Sequence, residues 1–135
     1  TPGDPAAGVR PASAVMSPVE DFTVTPAFTS TSAPMPLDPA GTDIQWTAPV
    51  STPGIMTIIM SRSSTITDSR YVICRPADDG QFTLTSTVIA SLGATPGLAF
   101  DFSVARGAAA PFCNEGVESG AVAHSLVHFG AAVVP

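Results

Sequence analysis

The sequence predicts an all-β domain: a two-sheet antiparallel sandwich of about seven strands, with one short helical turn and an extended N-terminal tail. Three observations lead there. Short runs alternate apolar and polar residues with period two, as half-buried strands do. Glycine (11) and proline (14) are spread along the chain and not gathered in one tract, which suits many short strands joined by tight turns. No segment repeats with a period of roughly 20–50 residues, so the chain reads as one unit. Its 135 residues are enough for a single core. Residues 1–18 read as the tail and residues 19–135 as the sandwich.

The tail is interrupted by Pro2, Pro5, Pro11 and Pro18 and loosened by Gly3 and Gly8, so in isolation it is expected to be extended or disordered. Residues 8–16 are mildly apolar. Within them Val9, Arg10, Pro11, Ala12, Ala14, Val15 and Met16 are the candidate assembly residues. Fixing each backbone residue costs about 1–2 kcal/mol, and few side chains here can offset that at about 25 cal/mol per Å². Backbone pairing along a sheet edge is therefore expected, on a neighbouring subunit in preference to its own.

Residues 19–25 form the first expected strand, with Phe22 and Val24 on one face and Val19, Asp21 and Thr23 on the other. Pro34, Pro36 and Pro39 exclude a central strand from residues 26–39. In residues 43–48, Ile44 and Trp46 point one way and Asp43, Gln45 and Thr47 the other. Residues 55–60 are almost wholly apolar, which marks a strand buried on both faces or covered on its outer one. Residues 71–85 read as a hairpin: an apolar run to Cys74, a turn at Asp78-Asp79-Gly80, then Phe82 and Leu84 alternating with Thr83 and Thr85. Residues 86–92 are the one helical candidate, with Ser86 able to cap and Val88, Ile89 and Leu92 inward. A turn that short needs packing to hold it. Residues 98–106 are the cleanest amphipathic strand. Residues 107–120 read as a long loop, and residues 121–134 as the last strand, bent at Gly130. The expected core is Ile44, Trp46, Ile58, Ile73, Phe82, Leu84, Leu98, Phe100, Phe102 and Val104.

Composition narrows function mainly by exclusion. The chain is 44% hydrophobic and 12% charged, with net charge −6 and no lysine. Its five arginines (Arg10, Arg62, Arg70, Arg75, Arg106) are scattered, whereas nucleic-acid binding needs clustered positive charge. Anionic lipid is disfavoured for the same reason. No apolar run approaches the roughly 20 residues of a membrane helix. A chain starting at Thr1 and not at Met is expected to be a processed product whose export signal has been removed. Cys74 and Cys113 are the two cysteines. Together with the β composition they point to one disulfide and a secreted, extracellular or cell-surface location. The alternative is two buried thiols. A bridge closing that loop would stabilise by about 3–4 kcal/mol on the chain-entropy account.

No catalytic, cofactor or metal set is legible. His124 and His128 project to one face of a strand about 13 Å apart, too far for one ion, and read as surface or edge histidines. Asp78-Asp79-Gly80 offers oxygens to calcium, yet a turn accounts for these residues. Serine is abundant, but no G-x-S-x-G elbow supports a triad. Asp101, Glu115 and Glu118 as glycosidase carboxylates lack an evident cleft. Aromatic residues stacking on sugar are a further alternative; Trp46, Phe100 and Phe102 alternate with polar neighbours as core positions do.

The succession Ile44-Gln45-Trp46-Thr47, an apolar strand, Tyr71-Val72-Ile73-Cys74, Asp78-Asp79-Gly80-Gln81-Phe82-Thr83, Val88-Ile89-Ala90-Ser91-Leu92 and a strand ending in Arg106 resembles an immunoglobulin-like β-sandwich domain of secreted bacterial cell-envelope proteins. The resemblance spans residues 19–134 and implies the sandwich fold. Such domains serve as spacers, adhesins and assembly modules, so it leaves function open. The cysteines do not flank Trp46 as in antibody domains, so no inter-sheet disulfide is implied.

The expected function is a non-enzymatic extracellular structural subunit. Its partners would be copies of itself, assembled into a filament or surface layer by the tail adding to a neighbour's sheet. The alternative is a carbohydrate-binding or adhesive module of a larger secreted protein, with a glycan as partner. A spacer domain is the third reading. No nucleic acid, membrane insertion or cofactor is expected.

Overall fold

The computed structural model describes residues 6, 14–29, 33–65, 68–114 and 117–135. The elements are β1 (Val24–Thr25), β2 (Met35–Pro36), β3 (Gly41–Trp46), β4 (Ile55–Thr65), β5 (Asp68–Cys74), β6 (Gln81–Thr85), α1 (Ser86–Ser91), β7 (Ala99–Asn114) and β8 (Val117–Val133). They form two sheets, one of three strands in the order β1-β3-β6 and one of five in the order β2-β8-β7-β4-β5. All pairings are antiparallel except β2 with β8, which is parallel. β2 lies at an edge, where Pro36 removes no donor that a second neighbour needs.

The core lies between the sheets. Phe22, Val24, Ile44, Trp46 and Leu84 bury toward it from the small sheet and its entry; Met56, Ile58, Met60, Phe100, Phe102 and Val104 do so from the large one. These are the residues that two-residue alternation places on one face. Phe28 and Phe102 meet edge to face with centroids 4.9 Å apart, a favoured aromatic geometry. Ile89 and Leu92 of the helical turn are buried over the same core. The helix starts at Thr85 without a side-chain cap, so Ser86 is its first residue and not its cap.

Four expectations change. The stretch 71–85 is not a hairpin: β5 belongs to the five-stranded sheet and β6 to the three-stranded one. Residues 75–80 cross between them. Gly80 turns the chain with φ +98°, a left-handed conformation that favours glycine. Ile73 faces outward, because it stands opposite Ile59 while Val72 stands opposite the buried Met60. A one-residue offset reverses every side chain of a strand. The first strand is only Val24–Thr25: Val19 and Phe22 are held by histidine side chains, and Thr23 accepts a single backbone bond from the Thr47 amide. Finally, residues 107–114 and 117–120 are strand and not loop, because the β7–β8 ladder runs on from Gly107–Ser125 to Phe112–Gly120; Glu115 lies outside the described residues.

Gly130 is not needed for a turn. A Cβ there would stand 2.8 Å from Phe28 and from the Thr29 backbone, so its hydrogen lets residues 26–29 lie directly on β8.

Candidate functional site

The β7–β8 hairpin is longer than the sheet it belongs to. β4 pairs with β7 only as far as Ile55 with Gly107. Beyond that point β7 and β8 pair with each other alone among the described residues, through Ala108–His124, Ala109–Ala123, Ala110–Val122 and Pro111–Ala121. The result is a two-stranded arm, rich in alanine near its base, with no further strand on either edge among the described residues. Isolated two-stranded ribbons are marginal in water, and open edges are templates for a further strand.

The described part of the tail lies against the base of this arm. Val15, Met16 and Ser17 line a groove of about 330 Å³ with residues 52–55 and 107–110. Ala14, Val15 and Met16 join no ladder of their own chain, and Val15 is almost fully exposed. Val9, Arg10, Pro11 and Ala12 lie outside the described residues. After the tail, the chain is fastened to β8 by two histidines. His124 Nε2 accepts from the Val19 amide at 3.3 Å, and His128 Nε2 lies 2.7 Å from the Phe22 carbonyl oxygen, to which it donates. Glu20 accepts from the Ser51 hydroxyl and from the Val50 and Ser51 amides. The Ser51 hydroxyl first, then the Val50 amide, holds its carboxyl below the ordinary 4.5. The two histidines, read from the sequence as surface or edge residues, are exposed (His124) and half-buried (His128), and both also tie the chain to β8.

Beneath the arm is a polar cluster that the turn reading of residues 78–80 missed. Arg106 is buried on the inner face of β7. Its Nη2 donates to Asp78 Oδ1 at 2.8 Å and to the Thr47 carbonyl. Asp78 also accepts from Trp46 Nε1 at 2.9 Å and from the Gly54 amide at 2.7 Å. The guanidinium lies 4.9 Å from the Phe22 ring centre, within cation–π range. Asp78 is thus fully engaged, and no group of three or more metal-ligating side chains occurs among the described residues.

The expected Cys74–Cys113 bridge does not form within this chain. Cys74 is a free thiol facing inward at the end of β5, where partial burial pushes its pKa up. It stands opposite Ile58, which stands opposite Val104. Cys113 is nine residues further along β7, roughly 30 Å at strand rise, against the about 7 Å a disulfide allows between Cα atoms.

The outer face of the five-stranded sheet is apolar and open. Ile55 (52% exposed), Ile59 (36%), Tyr71 (72%), Ile73 (52%), Val127 (55%) and Phe129 (66%) lie on it. Between them sit the small residues Thr57, Ser103 and Ala105. A shallow groove of about 450 Å³ continues from this face onto the arm past Ala109 and Ala123.

No protein-family model, curated protein or solved structure matches this chain.

Proposed function

We propose that this chain is a non-enzymatic extracellular structural subunit that assembles with copies of itself by strand addition. The observation that carries the reading is the two-stranded arm beyond Gly107, whose edges carry no further strand among the described residues and whose base is rich in alanine. An edge of this kind accepts an extended segment by main-chain hydrogen bonds, and small side chains let the backbones approach. The donor is the N-terminal tail of a second copy. Residues 14–17 already lie at the base of the arm without a ladder, so the tail emerges beside an acceptor edge. A tail that pairs with the next copy's arm makes a head-to-tail contact, and such contacts propagate as a filament or layer when they do not close.

The strand order β2-β8-β7-β4-β5 against β1-β3-β6 favours an immunoglobulin-like arrangement over other sandwiches. That arrangement also has a short first sheet opposite a larger one extended by an added edge strand. The carbohydrate reading is less well supported. The exposed aromatics Tyr71 and Phe129 stand on β5 and β8, three strand spacings or roughly 14 Å apart, and form no stacking row.

Deleting residues 1–17 tests the reading. The truncated protein is expected to stay folded by circular dichroism and to lose filaments in electron micrographs. A synthetic peptide of residues 1–17, added in excess to the full chain, is expected to shorten them. Unchanged assembly after the deletion overturns the proposal.

A further inference from the structure

We propose that the outer face of the five-stranded sheet is a second, symmetric interface: two copies of this chain pack on it face to face about a two-fold axis passing at Ile59. This contact stands apart from strand addition by the tail, and either can fail without the other.

Area supports the occupant. Large apolar side chains offer roughly 150–250 Å² each when aromatic. At their stated exposures the six on this face present on the order of 600–700 Å², close to the about 800 Å² per partner of a standard interface. Lone monomers seldom leave that much contiguous apolar surface in water.

Charge placement selects a second copy over an unrelated partner. Among the described residues one acidic group lies on this face, Asp101 of β7, and one basic residue, Arg75, follows directly on the end of β5 at the opposite corner. Asp101 is two residues along β7 from Ser103, and Ser103 is paired to Ile59. Arg75 is two residues along the chain from Ile73, which pairs Ile59 on its other side. Both are exposed. Ile59 therefore lies midway between β5 and β7, with Asp101 displaced one way along β7 and Arg75 the other way, just past the end of β5. With strands about 4.8 Å apart and about 3.3 Å of rise per residue, a two-fold axis in the interface plane through Ile59 can exchange the two positions. Each Asp101 then meets the Arg75 of the other copy, Ile59 meets itself, and the sheets cross at roughly a right angle, one of the two ways sheets pack. A symmetric contact needs a self-complementary surface, and this one is complementary under a single rotation.

The test uses the full chain and its variants, with the peptide of residues 1–17 in excess to block tail pairing, in sedimentation equilibrium at low ionic strength. Dimers are expected at or below about 100 µM. Ile59→Lys places like charges on the axis and is expected to leave monomers with an unchanged melting temperature, because Ile59 points to solvent. Asp101→Arg is expected to weaken the dimer about tenfold, and Asp101→Arg combined with Arg75→Asp to restore it. A wild-type chain that stays monomeric at that concentration overturns the proposal. So does a double variant as weak as Asp101→Arg alone, or an Asp101→Arg variant that dimerises normally.

Discussion

Arg106 and Asp78 form a buried ion pair, Nη2 to Oδ1 at 2.8 Å, that joins a strand of the large sheet to the segment crossing to the small one. The two residues are 28 apart in sequence, and neither is exposed. Burial makes the pair expensive to break on one side only, since a lone buried charge remains.

Asp78→Ala is accordingly expected to destabilise by about 3–5 kcal/mol in urea unfolding. The double variant Asp78→Asn with Arg106→Met is expected to cost less than the sum of its two single changes. Additivity within about 0.5 kcal/mol would show that the two groups do not act together.

The two faces of the large sheet give a second prediction. Phe100→Ala is expected to cost about 3–5 kcal/mol, because Phe100 is buried between the sheets. Ile73→Ala, on the open face, is expected to cost less than about 1 kcal/mol in the monomer. Equal losses would mean that β5 presents its faces the other way round.

Gly130→Ala is expected to destabilise by about 1–3 kcal/mol, since the added methyl meets Phe28 and the Thr29 backbone at 2.8 Å. Chemical-shift changes should centre on Phe28 and Thr29. A neutral Gly130→Ala would show that residues 26–29 do not lie directly on β8.

Cys74 is expected to be alkylated in the denatured protein without reductant, as a free thiol must be. In the folded protein its labelling is expected to be slow near neutral pH and to rise at higher pH than for an ordinary thiol, because burial disfavours the thiolate. The sign for stability follows. A folded-state pKa raised above the unfolded one leaves stability intact below the unfolded thiol pKa and erodes it as pH rises through the folded value. Cys74→Ser is expected to remove that alkaline component of the pH profile. A mass showing Cys74 protected without reductant would restore the disulfide.

Residue-level alternation by itself determined the faces of β3, β6 and the first half of β7. A side chain's direction in a strand depends only on its parity, so Ile44, Trp46, Leu84, Phe100 and Phe102 were legible as core. The turn at Gly80 and the helical turn after Thr85 were equally local. Tertiary structure alone decided where β5 and β6 go. Two strands and a turn look the same whether they pair or cross. The choice falls to Arg106, Trp46 and Gly54, distant residues that draw the Asp78 carboxylate inside. The outward face of Ile73 was hidden because residues 71–74 carry no alternation, and its parity is set only by the register against β4. The β7 side of the arm was hidden because Gly107 and the three alanines after it have no apolar–polar period to read. Its strands exist because β7 and β8 continue the ladder begun at Ala99 and Val133, a pairing that neither segment encodes alone.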